Sequence, residues 1–300
     1  MREALSAGVV RRARRPVGWS APGPPPGGAT EDGRLGPRPG EDLCYLAGDW
    51  RILQRLDGQR WSLDDLVTAW CAAEETLAAP PTSLLDLGCG IGAVLMLLAW
   101  RLPRARAVGI EAQAVSVDLA RRSLAWNGAA DRSAVVHGDL RDPAVLAPGA
   151  AFDLVTGTPP YLRPGTATPS RRAQRGPAHL ELRGGIEAYC LAAARWLAPG
   201  GRFVTCAATA QLRRAAGPAR SSRRAGAHGG RRPRSAPHAT LGFPGVLTCP
   251  IASFRMRRIS AGSAAGSTSG RATSAICWRS DISASARRRA ASASSSARAT

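Results

Sequence analysis

Lysine is missing from this chain: all 41 basic residues are arginine, and asparagine occurs once, at Asn127. Codons for both residues are A-rich, so the usage marks a very GC-rich gene, and the formal net charge of +20 says little about binding. Seven basic residues stand against six acidic ones in 1–50, 17 against 14 in 51–210, and 17 against one in 211–300. The excess charge sits in the tail and the middle is near neutral, so a nucleic-acid function cannot be read from the whole-chain isoelectric point. Long apolar runs are missing too. The longest, 91–100, is too short to cross a bilayer and is followed by Arg101. The N-terminus carries Arg2, Arg11, Arg12, Arg14 and Arg15 without an apolar core, which excludes a secretory signal. No Cys-x-x-Cys pair occurs, and the seven cysteines are odd in number and scattered. That usage predicts reduced thiols, no zinc site and a cytoplasmic home.

What is present divides into three zones. Residues 1–40 hold Pro16, Pro22, Pro24, Pro25, Pro26, Pro37 and Pro39 among many glycines. Such a stretch buries too little apolar surface to offset the entropy of ordering, and a disordered extension is expected. Residues 41–212 carry apolar runs and turn signals at regular intervals and read as one domain. In 213–300, 67 of 88 residues are Ala, Arg, Ser, Gly or Pro, with Asp281 as the single acid, so no structural period survives. Two readings of that tail stay open. One is a basic, disordered RNA-binding extension; the other is GC-rich DNA read in a shifted frame, which the abrupt change of composition favours.

Within 41–212 helices and strands alternate. Ser62 with Asp65 three residues on resembles a capping box, and Leu63, Leu66, Val67, Trp70, Cys71 and Leu77 share one face of the helix that follows. Pro80-Pro81 ends it. Strands are expected over 83–87, 107–111, 134–137, 152–156 and 202–207. Helices are expected over 92–101, 115–126 and 185–197, the last closed by the turn Pro199-Gly200-Gly201. Apolar strands alternating with helices predict an α/β fold with a parallel sheet covered on both faces.

Chemistry concentrates at the strand ends. The first strand runs into Asp86-Leu87-Gly88-Cys89-Gly90-Ile91-Gly92, where glycines allow a sharp turn and a close backbone approach to a ligand. The spacing also fits a dinucleotide loop, but three acids argue against one. Asp86 at the strand end would repel a pyrophosphate and attract an ammonium group. Glu111 ends the second strand, where an acid accepts ribose hydroxyls, and Asp139, followed by Leu140, stands after the third, placed to accept from an adenine amino group. The joint placement describes S-adenosylmethionine better than a nicotinamide dinucleotide.

At these residues the chain resembles the class I S-adenosylmethionine-dependent methyltransferases, over roughly residues 45–210. The resemblance implies a Rossmann-like, doubly wound parallel sheet, with cofactor held by Asp86, Gly88, Cys89, Gly90, Gly92, Glu111, Asp139 and Leu140. The two strands that end this family's sheet are not found after Ala207, so the sheet is expected to lack them. Thr158-Pro159-Pro160-Tyr161 is similar to the Asn-Pro-Pro-Tyr motif of the amino-methylating members. It implies that Thr158 and a proline carbonyl accept the target NH2 hydrogens, that Pro160 shapes the loop and that Tyr161 stacks on the substrate plane. Thr158 departs from the motif, since a hydroxyl reaches less far than an amide carbonyl. No metal is implied.

The segment Gln54-Arg55-Leu56-Asp57-Gly58-Gln59-Arg60-Trp61-Ser62-Leu63-Asp64-Asp65 is similar to the one preceding the cofactor loop in tRNA adenine-N6 methyltransferases. It implies a structured RNA, such as a tRNA anticodon loop, as substrate. Arg163, Arg171, Arg172 and Arg175 beside the motif would suit its phosphates. His179 and Glu181 follow, with a structural role expected for the histidine. A protein glutamine-amide methyltransferase uses the same motif and is the alternative. A damaged or non-catalytic RNA-associating protein is the reading from another class.

Overall fold

The computed structural model describes residues 8–12, 15–28, 35–166, 174–208, 211, 214, 242–243, 246–247 and 273–279. Five parallel strands build the centre: β4 (Ser83–Leu87), β5 (Arg106–Glu111), β6 (Ser133–His137), β7 (Phe152–Gly157) and β8 (Leu197–Ala208). With β11 (Thr273–Arg279) they form a six-stranded sheet in the order β11-β8-β7-β4-β5-β6. The chain leaves β4 towards β5 and β6, then returns to its other side for β7 and β8. That reversal opens a crevice at the carboxyl ends of β4 and β7, the usual ligand position in such sheets.

Along β4 successive side chains alternate between two cores. Leu84 packs with α2 (Ala93–Arg101) and α3 (Ala114–Trp126), while Leu85 and Leu87 pack with Tyr189 and Trp196 of α5 (Ile186–Trp196). The alternation puts Asp86 on the α2 side, inside the protein. Apart from β8, which begins at Leu197 and not at 202, the expected helix and strand positions agree with these elements to within a residue or two. In β8 the expected turn at Pro199-Gly200-Gly201 becomes a bulge: the register steps from Phe152↔Leu197 to Leu154↔Arg202, with Gly200 at φ +82°. The sheet also continues past its expected last strand. β11 lies antiparallel to β8, with Thr273 opposite Ala208 and Arg279 opposite Arg202. Its sequence, Thr-Ser-Ala-Ile-Cys-Trp-Arg, is short and embedded in Ala/Arg/Ser-rich chain, which hides it from a periodicity argument. The expected bare edge of β8 is paired by it. Farther up the tail, β9 (Gly242–Phe243) and β10 (Val246–Leu247) pair antiparallel. Apart from these strands and Arg214, the tail 213–300 lies outside the described residues.

Ahead of the sheet stands a hairpin that the sequence reading did not contain, β2 (Glu41–Ala47) and β3 (Trp50–Arg55). Leu43, Trp50, Ile52 and Leu53 are buried in it. Glu41 and Asp42 are buried with them, which local pattern reading takes as a sign against a strand. Their compensation comes from far away: Arg122 of α3 donates to both oxygens of Glu41 at 2.7 and 2.8 Å, and Arg11 and Arg60 both pair with Asp42 at 2.9 Å. Of the stretch 1–40 read as disordered, β1 (Val9–Val10) runs parallel to β2, and the Arg11 N–H donates to the Leu43 carbonyl at 3.0 Å. The extension borrows its order from the hairpin.

α1 (Leu63–Glu75) corrects a second expectation. Leu63, Leu66 and Trp70 of the predicted core face are exposed, as is Leu77 just beyond the helix. The buried side is Thr68, Ala69, Ala72 and Ala73, small residues that let the helix lie close against its neighbours. No helix among the described residues is long and apolar enough to cross a membrane.

Candidate active site

Four loops leave the carboxyl edge of the sheet and meet around a cavity of about 160 Å³. The loop after β4 is set by its backbone. Gly88, Gly90 and Gly92 have φ of +59°, +56° and +84°, left-handed values that only glycine adopts without strain. A side chain at Gly88 would collide with the Tyr189 hydroxyl, whereas the space above Gly90 is open. The Cys89 N–H donates to the Ile110 carbonyl at 3.0 Å and ties the loop to β5. The Cys89 thiol is buried and its pKa pushed well up by that burial, so it walls the cavity and is no nucleophile.

The three predicted acids end in three different environments. Glu111 lines the cavity and is 6% exposed. Burial raises its pKa, against the backbone donors Gln113, on Oε1 at 2.7 Å, and Gly90, on Oε2 at 3.0 Å. A carboxylate oxygen accepts more than one hydrogen bond, so Glu111 can still take hydroxyls from the cavity side. Asp139 also lines the cavity, beside buried Leu140, but Arg141 holds both of its oxygens and lowers its pKa. Asp86 lies beneath the glycine loop and does not line the cavity. Its Oδ1 accepts the Thr156 hydroxyl at 2.9 Å and its Oδ2 has no partner. Burial, reinforced by Asp65 and Glu111 nearby, raises it to about 7. The glycine loop therefore stands between the Asp86 carboxyl and the cavity.

Thr158, Pro159, Pro160 and Tyr161 line the opposite wall. The Tyr161 hydroxyl donates to Asp64 at 3.2 Å, which pins the ring. Burial raises the pKa of Tyr161, so it acts as a donor and not as a base. The segment after β3 forms the roof: Gln59, Arg60, Trp61, Ser62, Asp64 and Asp65 all face the cavity. Asp65 accepts the Ser62 N–H at 2.8 Å as a helix cap, and burial with Asp64 alongside lifts it to about 6. His179 lines the cavity as well. Arg163 is exposed just past Tyr161, Arg175 begins α4 (Arg175–His179), and Arg171 and Arg172 lie outside the described residues.

Several contributors escaped the sequence reading. Tyr189 of α5 reaches under Gly88 and Gly157, where any side chain would strike it. Arg183 lines the rim. Gln174, 5% exposed, accepts the Gln59 N–H at 3.0 Å and donates to the Ser116 hydroxyl at 3.0 Å, tying roof to α3. The only local sign of Tyr189 was its place on the apolar face of a predicted helix. Gln174 is a single polar residue whose partners lie 115 and 58 positions away.

Parts of the chain are similar to known proteins. Residues 84–164 match the family described as methyltransferase domain. A tRNA1(Val) (adenine(37)-N6)-methyltransferase of Porphyromonas gingivalis is 33% identical over 140 residues, covering 46% of this chain and 54% of that protein. A release factor glutamine methyltransferase of Chlorobaculum tepidum is 36% identical over 92 residues, 30% of this chain and 31% of that one. The chain thus spans about half the length of the first relative and less of the second. Among solved structures, an O-methyltransferase from a trans-AT polyketide synthase multienzyme of Brevibacillus brevis, in complex with S-adenosyl-L-homocysteine, superposes with a TM-score of 0.36. It is 13% identical, over 48% of this chain and 41% of that one.

Proposed function

We propose that this chain, a Rossmann-like class I methyltransferase fold with a methyltransferase domain over 84–164, transfers methyl groups from S-adenosylmethionine to an exocyclic amino nitrogen. The favoured acceptor is adenine N6 in a structured RNA such as a tRNA anticodon loop. One observation carries the reading: a single cavity is lined both by Gly88, Gly90, Glu111 and Asp139 and by Thr158, Pro159 and Tyr161. A cofactor wall and an acceptor wall therefore face the same space.

The residues suit that cofactor. Glu111 presents a carboxylate to the cavity that can accept ribose hydroxyls, and the open face of Gly90 admits a ligand against the backbone. Carboxylates at Asp64, Asp65, Glu111 and Asp139 around the cavity, with Asp86 beneath, favour a cationic ligand. Bound S-adenosylmethionine would supply a methyl group activated by a sulfonium. The protein's part is position and electrostatics. Thr158 and Pro159 offer oxygens to the two amino hydrogens, which turns a delocalised nitrogen lone pair towards the methyl. Tyr161, held by Asp64, offers a ring face to an unstacked base. Arg183 on the lining and Arg163 at the exposed edge provide cations for the flanking phosphates.

A peptide glutamine amide is the second reading, favoured by the similarity to the release factor glutamine methyltransferases. The test supplies labelled S-adenosylmethionine with RNA or with protein extract. Label in RNA alone is expected. Tyr161→Ala should abolish transfer while S-adenosylhomocysteine affinity, measured by calorimetry, stays within about threefold; joint loss of both would refute the assigned roles.

A further inference from the structure

Pro159 and Pro160 have no N–H, so the middle of loop 158–161 is tied down only through carbonyls and neighbouring side chains. Three of its ties matter here. The Thr205 hydroxyl donates to the Gly157 carbonyl at 2.8 Å, the Tyr161 hydroxyl to Asp64 at 3.2 Å, and the Gln211 amide to the Pro160 carbonyl at 2.9 Å. The third comes from beyond the last parallel strand. Gln211 is 3% exposed, and the same amide nitrogen donates to Glu181 Oε1 at 3.2 Å. Glu181 in turn is gripped by Arg214, whose Nη1 and Nη2 reach its two oxygens at 2.7 and 2.9 Å. Arg214 also holds both oxygens of Glu187 on α5 at 2.7 Å. The Glu181 N–H donates to the Leu162 carbonyl at 2.8 Å, which closes the circuit next to Tyr161. None of Gln211, Arg214, Glu181 and Glu187 lines the cavity.

We propose that Gln211 and Arg214 are positioning residues for methyl transfer, bracing the acceptor loop from behind through Glu181 and the Pro160 carbonyl. The proposal rests on the function inferred above. Arg214 matters because the Glu181 side chain is only 7% exposed. Without the guanidinium its charge is left to the Gln211 amide at 3.2 Å and the field of Arg163, and the amide is drawn towards it. The amide then turns from Pro160 to Glu181, and the wall formed by Pro159 and Tyr161 loses its fixed distance from the cofactor wall. Arg214 thereby acts in the site although the tail to which it belongs reads as low-complexity sequence.

The test uses full-length Arg214→Ala, Gln211→Ala, the double variant and Arg214→Lys. Three quantities are measured: labelled methyl transfer, calorimetric affinity for S-adenosylhomocysteine, and hydrogen exchange of the Leu162 and Glu181 amides. Each alanine variant is expected to lower kcat at least tenfold and leave S-adenosylhomocysteine affinity within twofold. The Leu162 and Glu181 amides should exchange faster while those of β4 stay protected. The double variant should be no slower than the worse single one, and Arg214→Lys should recover part of the rate, having the charge but not the fork. Unchanged exchange in Arg214→Ala, or loss of affinity in step with rate, would overturn the proposal. If the wild-type chain methylates neither RNA nor protein, the functional reading fails and the exchange result alone decides the brace.

Discussion

Asp86 offers the sharpest quantitative test. Its carboxyl is fully inside the protein, with one oxygen on the Thr156 hydroxyl and the other without a partner. Burial lifts its pKa from 3.8 to about 7. A carboxyl that holds its proton more tightly when folded stabilises the fold most below pH 3.8 and loses that contribution as pH rises to about 7. A shift of about three units corresponds to roughly 4 kcal/mol, at about 1.4 kcal/mol per unit. Asp86→Asn keeps an acceptor for Thr156 and has no charge to bury. Urea unfolding of both ligand-free chains between pH 4 and 8 should therefore diverge. The variant should gain on the wild type by about 1.4 kcal/mol per pH unit until about pH 7, then level off. Asp65, raised to about 6, and Glu111 contribute to both curves, so the difference curve reports Asp86. A difference that stays flat across this range would show that the carboxylate reaches solvent or a hidden donor, and the reasoning would fail. S-adenosylmethionine should also bind the wild type more tightly as pH rises through 7, with the trend lost in the variant.

Gly88→Ala should cost about 1–3 kcal/mol in thermal or urea unfolding, because φ is +59° and the new methyl meets the Tyr189 hydroxyl. Tyr189→Phe in the same chain should restore part of it, and no restoration would place the cost in the backbone alone. Arg122→Ala should cost about 3–5 kcal/mol by leaving Glu41 buried and unpaired; a cost under about 1 kcal/mol would mean that the hairpin is not held through this pair. Tyr161→Phe should keep the stacking ring but lose the bond to Asp64, slowing transfer by less than about tenfold. A loss equal to that of Tyr161→Ala would give the hydroxyl, not the ring, the main role.

Some of this molecule is written in short stretches of chain. Apolar strands bounded by glycine or proline, helices with a 3.6-residue repeat, and glycines at a strand-to-helix turn each depend on a few adjacent residues. For that reason the alternating α/β order, Gly88, Gly90 and Gly92, the acid at Glu111 and the loop at 158–161 are legible in the sequence alone. The pattern misled where small residues are buried and large ones exposed, as on α1, since hydrophobicity does not say how close a neighbouring element will come.

Long-range pairing belongs to the tertiary structure alone. Glu41 and Asp42 are acceptable in a buried strand only because Arg122, Arg11 and Arg60 arrive from other parts of the chain. Folding likewise decided that Asp86 sits beneath its loop while Glu111 faces the cavity, and that Arg141 occupies Asp139. Gln211 and Arg214 reach loop 158–161 the same way, from a segment whose composition promised nothing. A backbone conformation is a property of neighbouring residues, so sequence carries it directly. A desolvated charge is tolerated only when a partner stands within about 3 Å, and only the folded chain brings that partner there.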